Sequence, residues 1–503
     1  MSGAWERVPA LAAQHLTLAM AAIALGIAIA VPLGFWSARR PLASRLALGA
    51  ASIVQTIPGL ALLALFYPVL LWIGGLPALG FLPSLLALTL YAVLPILRNT
   101  VTGLQGLDPA VIEAADGIGM TRWQKLRIVE APLVLPVLTA GIRTAAVWTI
   151  GAATLSTTVG QPSLGDLIFA GLQTQAWPLV LAGCIAAAGL ALAVDALLGL
   201  AEYGLARRKR WLAFAALAIL ASATLAATAP LWRSSSSDRV VVGAKNFSEQ
   251  FILARLIGDR LRAAGYDVEY RDGLGSAVAF GAVASGAIDV YVDYAGTIWT
   301  GQMKRTDAPP PAAQVRAIAG WAAREHGVSL LGTLGFENAY AFAMREADAK
   351  RLGIATLADL ARRAPGLRLG SDLEFLERPE WRAVEAAYGL RFASATPYSP
   401  TFMYRALSSG GADVISAFSS DGRIAADRLT VLADPKRAIP GYDAILLVAP
   451  RRAKDQRFTD ALRPLVNAVP VEAMREANYM VDRDADKATP EAAATWLANR
   501  IGR

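Results

Sequence analysis

Cysteine and histidine are almost missing from this chain. Its 503 residues include one Cys, Cys184, and two His, His15 and His326. One cysteine excludes an intrachain disulfide and any cysteine-based metal centre. Two isolated histidines give no basis for a histidine-based metal or catalytic site, so no metal and no cofactor is expected. A phosphate-binding loop (Gly, four residues, Gly-Lys-Ser/Thr) is also missing, as is a serine nucleophile elbow. The chain therefore carries no phosphate-binding loop of its own, and no catalytic constellation argues for an enzyme.

Charge is scarce too, but only in one half. Residues 1–233 hold 14 Lys+Arg and 8 Asp+Glu, whereas residues 234–503 hold 34 and 32. The first half has the composition of a membrane bundle and the second that of a soluble globular domain. The net charge of +8 does not indicate nucleic acid. The membrane half carries most of the excess, at the ends of apolar segments, where positive residues set orientation.

What is abundant is apolar sequence in stretches of about 20 residues or more, the length needed to cross a bilayer. Six spans are expected, near 11–35, 46–73, 79–99, 133–155, 177–203 and 211–232. The first continues too long for a cleaved signal peptide. Arg39, Arg40 and Arg45 follow span one. Arg98, Arg122, Lys125 and Arg127 follow span three. Arg207, Arg208, Lys209 and Arg210 follow span five. The intervening loops 74–78 and 156–176 contain no Lys or Arg. Positive loops face the cytoplasm, so the N-terminus and everything after span six are expected outside the cytoplasm, in a multi-pass inner-membrane protein. Pro32, Pro58, Pro68, Pro95, Pro136 and Gly151 fall within spans, as kinks or as lining of a pathway. Arg143 and Asp195 are intramembrane charges and hence functional candidates, although Arg143 could also snorkel. Ser234–Ser237 reads as a short flexible tether. It would hold a soluble domain near the membrane at roughly millimolar effective concentration. The expected division is a transmembrane domain 1–233, a linker 234–238 and an extracytoplasmic domain 239–503.

The cytoplasmic loop 107–132 is patterned. Asp108-Pro109 is a helix start, Val111, Ile112 and Ala115 follow at helical spacing, and Gly119 offers a stop. A second amphipathic stretch then leads to Pro132. Such a knob suits docking into a partner's groove. Glu113-Ala114-Ala115, with Gly119 six positions after the Glu, resembles the EAA coupling loop of ABC importer permeases. Val129 and Ala131 depart from the family's usual Ile and Leu. The resemblance implies that Glu113, Ala114, Ala115 and Gly119 engage a separate ATPase subunit.

Three further stretches resemble permeases for osmoprotectants such as glycine betaine, choline and carnitine. They are Gln55-Thr56-Ile57-Pro58-Gly59-Leu60-Ala61-Leu62-Leu63, Leu94-Pro95-Ile96-Leu97-Arg98-Asn99-Thr100 and Gly160-Gln161-Pro162-Ser163-Leu164-Gly165-Asp166. Six spans make half of such an importer, so the resemblance implies a homodimer of permease domains.

In the second half, strand-like Val240–Gly243, a helical pattern over Glu249–Ala264 and strand-like Val268–Tyr270 begin an alternation that continues to about residue 450. This predicts an α/β domain, large enough for two lobes. Aromatic residues stand beside small polar ones in four places: Asp293-Tyr294-Ala295-Gly296-Thr297, Glu337-Asn338-Ala339-Tyr340, Ala417-Phe418-Ser419-Ser420-Asp421-Gly422 and Pro440-Gly441-Tyr442-Asp443. A quaternary ammonium has no N–H and is recognised by ring faces, each worth ~0.5–2 kcal/mol. Taken singly, each ring also fits a core position.

Val242-Gly243-Ala244-Lys245-Asn246-Phe247-Ser248-Glu249-Gln250 and the Asp293–Thr297 stretch resemble type II substrate-binding proteins of the same osmoprotectant importers. That resemblance implies a cage of Tyr294, Tyr340, Phe418 and Tyr442, with Phe418 where Tyr is usual. It implies Lys245 and Arg378 as counter-charges for a carboxylate. Asn338 and Thr297 are candidate hydrogen-bond partners. Arg378 could instead pair with Glu374 or Glu377.

The expected protein is a fused permease and binding protein of an ABC importer for a small quaternary amine, embedded in membrane lipid and driven by a separate ATPase. Two alternatives stay open: an importer of an amino acid or other small cation, and a ligand-gated receptor or channel without ATP coupling.

Overall fold

The computed structural model describes residues 2–502 except 74, 174–175, 208, 233–237, 373–374, 399 and 484. The tether Ser234–Ser237, Arg208 and Glu374 lie outside the described residues. The chain separates into two compact units, one drawn mostly from the residues up to Ser234 and one mostly from those after it.

The first unit is helical: α1 (Ser2–Ser37), α2 (Pro41–Thr56), α3 (Gly59–Ile73), α4 (Phe81–Gln105), α5 (Pro109–Gly117), α6 (Arg122–Lys125), α7 (Ala131–Ala153), α8 (Gly165–Gln173), α9 (Trp177–Ala206) and α10 (Arg210–Trp232). Among the described residues five single helical runs are long and apolar enough to cross a membrane. The chain is thus a multi-pass membrane protein. Helix α4 is its centre, packed against both α1 and α7. Small residues permit the approach. A Cβ on Gly34 would stand 2.5 Å from a Thr100 carbon, and one on Gly141 would stand 2.7 Å from Asn99. His15 ties helices together. Its Nε2 lies 2.8 Å from the Ile150 carbonyl and its Nδ1 accepts from the Leu164 amide.

Two expected spans differ from the sequence reading. The stretch 46–73 is not one continuous helix, because α2 and α3 meet at 100°. Pro58 disfavours the helical conformation at the residue before it, and Ile57 is extended (φ −73°, ψ 126°). The Tyr91 hydroxyl of α4 donates to the freed Ile57 carbonyl. The other difference is at Pro132, which does not mark the start of a helix. A helical run continues from Arg122 to Val159 through a π turn at Leu126–Glu130. Pro132 therefore stands inside the run, just after the π turn, and supplies no N–H of its own to it. Buried Glu130 in that turn accepts from Arg39, just beyond the end of α1, at 2.6 Å.

Arg143 does not stand alone in its span. Its guanidinium grips Asp195 through two bonds (3.0 and 2.9 Å) and reaches Glu202 at 2.9 Å. Asp195, Gly199 and Glu202 share one face of α9 at helical spacing. The guanidinium lies across Gly199, where a Cβ would stand 3.2 Å from its central carbon.

Among its described residues the second unit has ten strands: β1 (Arg239–Lys245), β2 (Asp267–Leu274), β3 (Val290–Tyr294), β4 (Ser329–Glu337), β5 (Tyr340–Arg345), β6 (Arg368–Asp372), β7 (Ser394–Tyr398), β8 (Val414–Phe418), β9 (Leu429–Val431) and β10 (Asp443–Val448). They form two sheets of order β2-β1-β3-β10-β4 and β7-β6-β8-β5-β9. Within the first, β1 runs parallel to β2 and β3, while β10 is antiparallel to β3 and β4. The apolar runs of β1 and β10 are buried along almost their whole length, as expected where helices cover both faces of a sheet. Helix α11 (Ser248–Ala263) supplies one cover through Phe251, Ile252, Leu256 and Ile257. The chain passes between the sheets at 338–339 and again over 432–442. This is the type II binding-protein fold, with a cleft where the two lobes face each other.

Candidate functional site

The expected aromatic residues stand at strand ends. Tyr294 is the last residue of β3, Tyr340 the first of β5 and Phe418 the last of β8, and Tyr442 immediately precedes β10. Tyr340 and Phe418 are direct partners in the antiparallel β5–β8 ladder, which sets their ring centroids 5.2 Å apart. Tyr340 also meets Tyr442 edge-on at 5.7 Å. Tyr294 stacks instead on Phe247 at 6.1 Å. Tyr340 therefore meets two of the other expected rings, and Tyr294 pairs with an aromatic residue that sequence reasoning did not single out.

Two of the hydroxyls end on buried carboxylates. Tyr294 donates to Glu249 Oε1 at 2.6 Å and accepts from Gln250 at 2.9 Å. Tyr442 donates to Glu380 Oε1, which also accepts from Thr300 at 2.7 Å. Burial, reinforced by the adjacent glutamates, holds both phenols well above their ordinary pKa. Burial likewise raises the Glu249 carboxyl, against the opposing effect of donors from Ser420, Tyr294, Asn478 and Asn338. A hydroxyl bonded to an anionic acceptor leaves its ring richer in electrons, which favours a cation on the ring face.

The expected counter-charges are placed differently from each other. Lys245 is buried and bonded to buried Asp293, with its ammonium 5.2 Å from the Tyr294 ring centre. Its charge is therefore matched within the protein. Arg378 is the N-cap of the helix Pro379–Tyr388, and its guanidinium stands 5.6 Å from the Tyr340 ring centre. Thr297 is buried at the start of the turn that follows Tyr294.

Beside the rings lies a cavity of about 60 Å³. Among the described expected residues, Phe418 and Asn338 line it, together with Phe247, Glu249 and Asn478. The Asn338 amide donates to Glu249 at 3.1 Å and its main-chain N–H to the Tyr442 carbonyl at 3.0 Å. Asn478, on the helix Val471–Asp482, donates to Glu249 Oε2 at 2.7 Å and to the Ser420 carbonyl at 2.9 Å. The far wall is ionic. Arg423 grips Asp421 and approaches Asp482, which accepts from Ser248. Phe247 and Glu249 fall within the Val242–Gln250 stretch and could have been found there, since both directly follow a buried strand. Asn478 carries no such signal, because it looks like one more position of an amphipathic helix.

In the helical unit the patterned loop forms α5 and α6. Asp108 caps α5 by accepting from Ala110 at 2.9 Å, and Thr121 and Gln124 form a capping box on α6. Gly119 between them has φ +76°, a conformation that disfavours any side chain. Lys125 ties the two helices through Asp116 at 2.6 Å. Glu113 and Ala114 are exposed and Ala115 is buried. Ile118 and Trp123 are each about two-thirds or more exposed (74% and 67%), an apolar surface of the kind partners cover.

Comparison with known proteins covers both units. Residues 238–499 match the substrate binding domain of ABC-type glycine betaine transport systems, and residues 30–210 match the inner membrane component of binding-protein-dependent transport systems. Over 471 residues the chain is 28% identical to the ergothioneine transport permease/ergothioneine binding protein EgtU of Helicobacter pylori, covering 89% of this chain and 82% of that one. The membrane half alone is 41% identical over 189 residues to the glycine betaine/carnitine/choline transport permease OpuCB of Bacillus subtilis, covering 38% of this chain and 84% of that one. A solved glycine betaine/carnitine/choline ABC transporter structure superposes with a TM-score of 0.46 at 25% identity, over 52% of this chain and 98% of that one.

Proposed function

The chain belongs to the family of substrate-binding domains of ABC-type glycine betaine transport systems, joined here to a binding-protein-dependent permease, and from that premise we propose that it captures and admits a quaternary ammonium compound. The observation that carries the reading is the group of rings at the strand ends, where Tyr340 touches both Phe418 and Tyr442 at the passages between the lobes. Tyr294, Tyr340, Phe418 and Tyr442 hold the cation. Arg378 offers a guanidinium at the same place for a carboxylate. Lys245, with its charge matched by Asp293, supports Tyr294 from behind. Asn338 and Thr297 complete the polar wall. The names of the relatives (glycine betaine, carnitine, choline, ergothioneine) share a trimethylammonium group, which is what such rings recognise.

The binding unit faces the outside of the cytoplasmic membrane, and two copies of the permease unit pair around one pathway. Glu113, Ala114, Ala115 and Gly119 dock a separate ATPase, which supplies the power stroke. The test is calorimetric titration of the purified full chain with glycine betaine, choline, carnitine and an amino acid panel. Binding of at least one quaternary amine is expected. Binding of an amino acid and of no quaternary amine would sink the assignment. ATP-independent flux through the purified chain would instead favour a gated channel.

A further inference from the structure

The ion triad of the helical unit is not sealed. The side chains of Arg143, Asp195 and Glu202 are 34%, 31% and 28% exposed. A groove of about 540 Å³ lies beside them between α7 and α9. Arg143, Thr144 and Trp148 line it from α7, and Leu192 and Asp195 line it from α9. Arg143 falls near the middle of the helical run Arg122–Val159. Asp195 and Glu202 stand two turns apart on α9, about 16 and 6 Å along the axis from its end at Ala206. Ionised side chains within spans face a protein interior or water, not acyl chains. The balance of charge decides between those two. One guanidinium serves two carboxylates, so the triad carries one negative charge in excess. A second copy placed on this face by a two-fold axis would bring an equal excess to it, and like charges repel strongly where the dielectric is low. Water, with a cation in it, meets the need of the groove.

We propose that the α7–α9 groove is a water-filled wall of the transport pathway, and that Asp195 and Glu202 form a station for a cationic group in transit. This rests on the reading of the chain as an importer of a compound with a cationic group, and adds to it a site within the membrane. The two carboxylates follow one another from mid-span towards the end of α9 that precedes Arg207 and Lys209. A cation leaving Asp195 therefore meets Glu202 next. Arg143, bonded to both, is a positioning residue. It aims the carboxylates and offsets one of their two charges, so that a cation is attracted but not held too tightly to leave.

The test places a thiol in the groove. Cys184→Ser removes the only native thiol. In that background the full chain carrying Thr144→Cys is reconstituted in proteoliposomes and treated on both faces with two water-soluble methanethiosulfonates, one bearing a trimethylammonium group and the other a sulfonate. Each rate is divided by the same reagent's rate with a free thiol in solution. Both reagents are expected to react, the cationic one about tenfold faster than the anionic one. Glu202→Gln removes the excess charge and is expected to bring that ratio close to one. Leu192→Cys, on the opposite wall, repeats the measurement where Thr144→Cys does not fold. Failure of both reagents to react overturns the proposal, because lipid or a packed copy then covers the groove. A ratio near one with the triad intact overturns it as well, and so does a ratio that Glu202→Gln leaves unchanged. Neither reagent is a cargo, so these outcomes leave the capture reading standing, whereas a calorimetric titration without quaternary-amine binding defeats that reading alone.

Discussion

Tyr442 and Glu380 join the two lobes of the binding unit by one hydrogen bond, the phenol donating and the carboxylate accepting. Tyr442 leads into β10 of the first sheet, and Glu380 sits in the first turn of the helix that follows β6 of the second. Thr300 adds a second bond to the same oxygen from the first lobe. The carboxylate thus accepts two donors from the other lobe.

Tyr442→Phe keeps the ring and removes that bond. Ligand affinity in calorimetry is expected to fall by about 1.5–3 kcal/mol, the range for a hydrogen bond to a charged group. Tyr442→Ala also removes a ring face and should cost a further ~0.5–2 kcal/mol. Equal affinities for the two variants would show that the ring contributes nothing.

Gly119→Asp forces a side chain into φ +76° between α5 and α6, where space is open but the backbone is not. The local cost is ~1–2 kcal/mol, enough to disturb the surface carried by Ile118 and Trp123. ATP-dependent uptake in proteoliposomes containing the ATPase should be lost while ligand affinity is kept. Uptake at the normal rate would refute the docking role.

Arg143→Leu leaves Asp195 and Glu202 without their cation inside an apolar slab. An uncompensated carboxylate near a helix centre costs about 2.5–3.5 kcal/mol. The variant should unfold at a clearly lower temperature in detergent, and Arg143→Leu combined with Asp195→Leu should recover part of the loss. No difference between the single and double variants would mean that the pair is not coupled.

Burial lifts the Asp482 carboxyl to about 6, with Asp421 adding to the rise and Arg423, Ser248 and Lys487 opposing it. The folded state therefore binds this proton more readily than the unfolded chain. Its contribution to stability, on the order of 2 kcal/mol, is complete below pH ~4 and is lost as pH rises through about 6. Asp482→Asn should flatten that part of the urea midpoint profile between pH 4 and 7. A profile of the same slope would remove Asp482 as its source.

Much of this arrangement was legible in the sequence because it rests on local pattern. Apolar length and the positions of Arg and Lys marked the membrane half, and alternating strands and helices marked the two-lobed half. Asp108-Pro109 and Gly119 announced a helix start and stop because capping is a matter of neighbours. The rings of the candidate site were legible where they stand at strand ends, as at Tyr294, Tyr340, Phe418 and Tyr442. Asn478 meets Glu249 across 229 residues of chain, and nothing in an amphipathic helix marks one buried polar position as special. The partnership of Lys245 with Asp293 spans 48 residues on adjacent strands and depends on register. Pro58 was visible as a kink, but a right-angle break depends on what receives the freed carbonyl, and Tyr91 lies in another helix.

That corner has a mechanical meaning. A bend pinned from outside by a side chain of α4 is an elbow rather than a hinge, and drawing it straight would strip the Ile57 carbonyl of the Tyr91 hydroxyl. A displacement of α4 that keeps this bond would carry the corner with it, and α3 would turn about Tyr91.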